Sequence, residues 1–126
     1  MCLTLTSDSK IVVADKDIVC YKILRKDFEL FATSPYFGFQ YIVGVTYKID
    51  GKLKIFCGYE HKFVREGFHS FERFQSAKAF LYLRRKFLPG YCIYKCIIPK
   101  GTRMIFGDFS DFSSIASEAI KIIKSL

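Results

Sequence analysis

One stretch of the chain carries a clear helical stripe. From Arg73 to Leu88, the apolar residues Phe74, Ala77, Phe80, Leu81, Phe87 and Leu88 recur at three- and four-residue spacing, and Pro89-Gly90 stops the pattern. This predicts one main helix over about 71–88, with Ser70 as the cap at its start. Most of the remainder consists of short β-branched and aromatic runs punctuated by turn residues, which read as strands.

Lys10 to Ala14 and Ile18 to Leu24 are two such runs, separated by Asp15-Lys16-Asp17. After Ser34-Pro35, a long run from Phe39 to Ile49 meets Asp50-Gly51 and continues as Leu53 to Cys57, which predicts a hairpin. Tyr91 to Ile98 is a further strand, closed by Pro99-Lys100-Gly101 and followed by a short strand at Arg103 to Phe106. Residues 113–125 fit two periods at once. Ile115, Ala119, Ile122 and Leu126 form a helical stripe, whereas Ile120 and Ile122 alternate as in a strand. The expectation is an α+β fold: a mostly antiparallel twisted sheet with one main helix and a short C-terminal helix or strand.

Nothing divides the chain. No repeat, linker or low-complexity stretch interrupts residues 1–126, so a single domain is expected, burying about two-thirds of the surface of the unfolded chain. With 14 Phe and 8 Tyr among 51% hydrophobic residues, the core needs no disulfides. Cys2, Cys20, Cys57, Cys92 and Cys96 are odd in number and lack the spacing of a secreted scaffold, which points to a reducing cytoplasm. No run approaches the roughly 20 apolar residues that span a bilayer, so no membrane partner is expected.

The formal charge of +8 favours anionic partners such as nucleotides, nucleic acid or an acidic protein face. It equally keeps an aromatic-rich protein soluble, and it argues against a carboxylate-studded mimic of DNA.

The most suggestive junction is Glu66-Gly67-Phe68-His69-Ser70, read as feeding the helix start. Free amides there would attract phosphate, with His69, Ser70 and Arg73 at hand. The competing structural reading makes Ser70 a cap and His69 a core histidine. Arg84 falls within the helix's apolar arc and needs an internal carboxylate, a ligand, another subunit or an escape to the rim. Lys78, Arg85 and Lys86 form a polar arc that solvation explains, which leaves nucleic acid the weaker partner. Arg103 joins His69, Arg73 and Arg84 as a cation expected to converge on one concavity.

Metal is not expected. Cys57, His61 and His69 lack the close second pair of a zinc pattern, and Cys92 and Cys96 would lie about 13 Å apart along one strand. Cys2 would become an N-terminal nucleophile if the initiator Met were removed. Asp108, Asp111 and Glu118 could hold a ribose or serve as a catalytic carboxylate, or simply cap a loop. No Gly-rich phosphate loop, nucleophile elbow or metalloprotease helix is present.

The order of Cys20-Tyr21-Lys22, Phe39-Gln40-Tyr41 with Gly44 and Tyr47, Gly67-Phe68-His69-Ser70-Phe71, Ala77 and Lys95-Cys96-Ile97-Ile98-Pro99-Lys100-Gly101 resembles small bacterial and phage proteins of unknown activity. More remotely, the layout is similar to the ADP-ribosyltransferase fold. That resemblance implies that Lys22 stands at the cofactor-binding arginine, Ser70 at the serine motif and Glu118 at the catalytic acid, with NAD as cofactor.

These readings lead to a cytoplasmic binding module of a bacterium or a phage-infected cell. It would take a nucleotide-like or other anionic small molecule, through Lys22, His69, Ser70, Arg73, Arg84 and Arg103, without a cofactor. A phage anti-defence factor sequestering a nucleotide signal is the role the resemblance implies. The alternatives are an NAD-consuming transferase using Glu118 and a protein-interaction domain, an oligomer or an inhibitor of a host protein, with surface aromatics as anchors.

Overall fold

The computed structural model describes residues 3–35 and 38–126. The Cys2 reading lies outside them. In chain order the elements are β1 (Leu3–Leu5), β2 (Val12–Val13), β3 (Ile18–Lys26), β4 (Phe31–Thr33), β5 (Gln40–Ile42), β6 (Thr46–Lys48) and β7 (Phe56–Cys57). They continue as β8 (Lys62–Val64), β9 (Phe68–Phe71), α1 (Phe74–Leu83), β10 (Tyr91–Ile98), β11 (Arg103–Phe109), β12 (Phe112–Ser117) and β13 (Ala119–Ser125).

Local chemistry sets the pairing. At the β11–β12 hairpin, Phe109 faces Phe112 across a two-residue turn in which Ser110 and Asp111 have φ of 50° and 67°. Positive φ at both turn residues matches the right-handed twist of the strands, and aspartate tolerates that region. The described strands form one antiparallel 13-stranded sheet in the order β6-β13-β10-β3-β9-β12-β11-β1-β8-β7, with β2, β4 and β5 attached at the side.

Alternation along the two longest strands makes two layers. Cys20 and Leu24 of β3, with Tyr94, Cys96 and Ile98 of β10, pack on one face with Tyr41, Ile115, Ile120 and Ile122. Ile23, Phe71 and Ile93 point the other way and receive Ala77 and Phe80 of α1. Phe80 is buried with its ring 5.3 Å from those of Phe71 and Phe109, so burial alone stabilises this contact by about 1.5–3 kcal/mol. A third cluster of Leu3, Leu5, Leu53, Val64, Ile105 and Ala116 sits beneath the outer strands.

Several expectations change. The helix spans Phe74–Leu83, shorter than 71–88 at both ends. Residues 69, 70 and 71 are buried in succession between β3 and β12, and a run buried on both faces is a strand, not a helix start. Ser70 is therefore no cap; Arg73 occupies that position, without a side-chain capping bond. At the far end Leu83 to Phe87 are all exposed, so no buried stripe sustains the helix there.

The Asp50-Gly51 turn survives, with Gly51 at φ 99°, but no hairpin forms around it. β6 pairs β13, and β7 pairs β8. Ile49 and Leu53, on either side of the turn, both pack on the third cluster while Tyr47 packs on the first, so the turn delivers its flanks to one core but the strands on each side take other partners. The first run narrows to β2, and the C-terminal segment is strand: Ile120 and Ile122 go inward with Lys121 between them, and β13 covers the open side of β10. The α+β description holds in its coarse form, with the helix a minor element.

Candidate functional site

β3 is held to β10 by eight register pairs, Tyr91↔Arg25 through Ile98↔Ile18. To β9 on its other side it has one, Tyr21↔Phe71. The sheet therefore opens between β3 and β9, and a cavity of about 40 Å³ lies against both strands, lined by Lys22, Ile23, His69, Ser70 and Phe71, with Ser34, Pro35, Phe80 and Ser114 around them.

Lys22 alternates with Cys20 and Leu24, so the strand turns its side chain inward, leaving it 7% exposed. Its Nζ donates to the carbonyl oxygen of His69 and lies 5.6 Å from the centre of the Tyr41 ring. Among the described residues no carboxylate pairs with it. An isolated buried ammonium costs several kcal/mol, and burial accordingly pushes the Lys22 pKa down, against a smaller opposing effect of the Cys96 and Cys20 thiols.

His69 has Nε2 3.1 Å from the Glu66 carbonyl oxygen. A carbonyl only accepts, so Nε2 carries the hydrogen and Nδ1 of the neutral ring is an acceptor. Burial, then the Lys22 charge, lowers the His69 pKa to about 4, against the favourable Glu66 carbonyl. The neutral tautomer is thus fixed at ordinary pH. Among the described residues, neither His69 Nδ1 nor Ser70 Oγ, both buried, has a hydrogen-bond partner. Two unsatisfied polar atoms and an amine without a counter-ion, on three residues that line one cavity, are costly in a core, and such groups concentrate at binding sites.

Behind Lys22, Cys20 and Cys96 stand directly opposite each other on β3 and β10, both fully buried. The Cys96 thiol holds the Cys20 pKa down against burial; the nearby Ser70 hydroxyl, though outside good hydrogen-bond geometry, and Lys22 assist. Burial and the Cys20 neighbour drive the Cys96 pKa well up.

The structure gathers Lys22, His69 and Ser70, and does not gather the arginines. Arg73 is exposed at the start of α1. Arg84 ends the helix in solvent with its guanidinium 5.5 Å from the Phe80 ring centre, the escape to the rim. Lys78, Arg85 and Lys86 are exposed. Arg103 lies 3.5 Å from Glu118, whose other contact is the Leu53 amide at 2.9 Å. Those two residues line a different groove with Lys48 and Lys100. Asp108 is exposed on β11 and Asp111 sits in the hairpin turn.

Cys57 and His61 flank the β7–β8 turn, whereas His69 is buried in β9. Among the described residues no three metal-ligating side chains meet. Among the described residues no helix is long and apolar enough to cross a membrane. Sequence reasoning missed Tyr41, the Glu66 carbonyl and the opposed thiols. It had one usable signal for Lys22, a lysine at an inward position of an otherwise apolar strand. Comparison with protein-family models, with curated proteins and with solved structures finds no match to the chain.

Proposed function

We propose that the protein is a non-enzymatic binding module that holds the anionic end of a small phosphate- or carboxylate-bearing ligand, nucleotide-like in class, in the opening between β3 and β9. The observation that carries this reading is the buried Lys22, which has no carboxylate partner among the described residues and lines one cavity together with His69 and Ser70, each with a buried polar atom left without a hydrogen bond. An entering anion supplies the missing counter-ion, and Ser70 donates to it. A ligand oxygen that carries a hydrogen, as in a phosphate monoanion, donates to His69 Nδ1.

About 40 Å³ takes a terminal group and not a whole nucleotide, so the base and sugar stay outside. The net charge of +8 raises the local concentration of such ligands. Capture without turnover suits sequestration of a nucleotide signal. Glu118, the acid that an NAD-consuming activity would use, is engaged by Arg103 and the Leu53 amide in the other groove.

Thermal melts across inorganic phosphate, small carboxylates, mono- and dinucleotides and NAD test the reading. A ligand at 100 times its dissociation constant adds about 2.7 kcal/mol. The gain should vanish in Lys22→Met, and a protein whose melting point moves with none of these anions does not have this function.

A further inference from the structure

Charge is unevenly distributed along this chain. The residues between Glu72 and Asp108 hold eight of the 20 Lys and Arg and none of the 12 Asp and Glu, so this one segment carries the whole formal excess of +8. Five of its cations, Arg73, Lys78, Arg84, Arg85 and Lys86, lie at the start of α1, along it or in the turn that follows, and all five are exposed. Among the described residues the ion pairs are Arg25–Asp27 and Arg103–Glu118, so none of the five is paired with an acid.

The end of the same helix bares apolar side chains. Tyr82, Leu83 and Phe87 are 63%, 61% and 77% exposed. The Phe87 and Leu88 amides both donate to the Arg84 carbonyl oxygen, which keeps the chain coiled there and holds the three side chains at one corner with Arg84, Arg85 and Lys86. Cations beside a helix C-terminus ease its dipole, but that gives no reason to leave Leu83 and Phe87 in water. Other exposed apolar residues have acids beside them: Phe28 and Leu30 flank Glu29, and Tyr59 precedes Glu60. The corner after α1 joins bare apolar groups to cations alone.

We propose that this corner is a peripheral membrane contact: Leu83 and Phe87 enter the interface of an anionic bilayer while Arg84, Arg85 and Lys86 meet the lipid phosphates. Crossing a bilayer takes a span that no helix among the described residues provides. Lying against one takes only projecting apolar side chains with cations around them. Single-stranded nucleic acid would answer the charge but needs free ring faces in succession. The Tyr82 ring already carries the Arg85 guanidinium, 4.2 Å from its centre and tied by a 2.7 Å bond to the Tyr82 carbonyl oxygen, and Leu83 has no ring to offer. An acidic protein would have to present a pocket shaped to these side chains, whereas a bilayer accepts any that project. The contact is independent of the anion proposed for the β3–β9 opening.

The test is sedimentation of the full chain with vesicles of phosphatidylcholine and, separately, of phosphatidylcholine mixed with an equal amount of phosphatidylserine. Binding is expected with the mixed vesicles only and should weaken as salt is added. Replacing Arg84, Arg85 and Lys86 together by Gln should lower partitioning by about a hundredfold. Leu83→Ser combined with Phe87→Ser should lower it by about tenfold or more. All five positions are exposed, so both variants should keep the wild-type melting point. Where either does not, Phe87→Trp decides: the chain has no other tryptophan, and emission from this one should shift to the blue on mixed vesicles. Failure to bind the mixed vesicles, an emission that does not move, or binding that the paired Ser substitutions leave unchanged overturns the proposal. So does capture of a labelled oligothymidylate that depends on Phe87 while vesicles are ignored, which would assign the corner to nucleic acid.

Discussion

The Lys22 side chain donates to the main-chain carbonyl of His69, across the line where β3 and β9 part after a single register pair. A side chain thus stands in for part of a missing ladder. It also brings a nitrogen that would otherwise be solvated to the wall of a cavity, and most of the expected behaviour follows from that placement.

Lys22→Met should separate stability from binding. Methionine keeps much of the stem and removes the polar head, and replacing a buried charged group by an apolar one of similar volume is commonly neutral or stabilising by about 1–4 kcal/mol. The loss of the bond to His69 offsets part of this. Urea denaturation should give an unchanged or higher midpoint, together with loss of every anion-dependent shift in melting.

Acid should weaken the fold through His69. Its folded-state pKa of about 4 lies below the ordinary 6.5, so between these values the unfolded chain binds a proton that the folded chain refuses. This contribution is fully present above about pH 6.5 and is lost as pH falls towards 4, by about 3 kcal/mol in all. Melting at pH 4.5 should lie roughly 10 °C below that at pH 7, and His69→Gln should flatten the slope over this window.

Gly67→Ala should cost more than Gly51→Ala. Gly67 has φ of 87°, and an added Cβ would sit 2.6 Å from Leu53 Cδ2 and 2.9 Å from the Ser117 carbonyl oxygen. Gly51 has φ of 99° with open space around it. The strained backbone costs each of them about 1 kcal/mol, and the clash raises Gly67→Ala to roughly 2–4 kcal/mol. Chemical denaturation of the two variants side by side checks the order.

Glu118→Gln tests which groove matters. The carboxylate accepts from the Leu53 amide and pairs with a half-exposed Arg103, so its loss should cost about 1 kcal/mol. Ligand-dependent melting at the β3–β9 opening should not change. A binding defect as large as that of Lys22→Met would move the site to the Glu118 groove.

Thiol accessibility should follow the layering. Cys57 is exposed, whereas Cys20 and Cys96 face each other fully buried across the two longest strands. Iodoacetamide should modify Cys57 readily in the native protein and reach Cys20 and Cys96 only on unfolding.

The sheet and its central strands were legible because Ile18 to Leu24 and Tyr91 to Ile98 carry strong β propensity bounded by turns. Pairing was less so. The Asp50-Gly51 dipeptide specifies a turn, but whether its flanks pair depends on which strands compete for them, a long-range condition: β13 takes β6 and β8 takes β7. The segment around His69 and Ser70 looked like a helix entrance, since a strand buried on both faces has no period to betray it. Lys22, His69 and Ser70 were each named, yet Lys22 and His69 are 47 positions apart in the chain, and only the sheet order makes them neighbours. The arginines were grouped by charge, which says nothing about direction; three-dimensional placement sends each to its own patch of surface or, for Arg103, to Glu118.

The lone Tyr21↔Phe71 pairing also gives the sheet a mechanical weak line. Prying β3 from β10 would sacrifice eight register pairs, while prying it from β9 sacrifices one. Across that rung the two halves are joined chiefly by side-chain packing, Cys20 and Leu24 with Ile115 on one face and Ile23 with Phe71 and Phe80 on the other. A guest wedging in beside Phe71 would meet little resistance from the backbone, so the same economy of pairing that leaves the gap also leaves it adjustable.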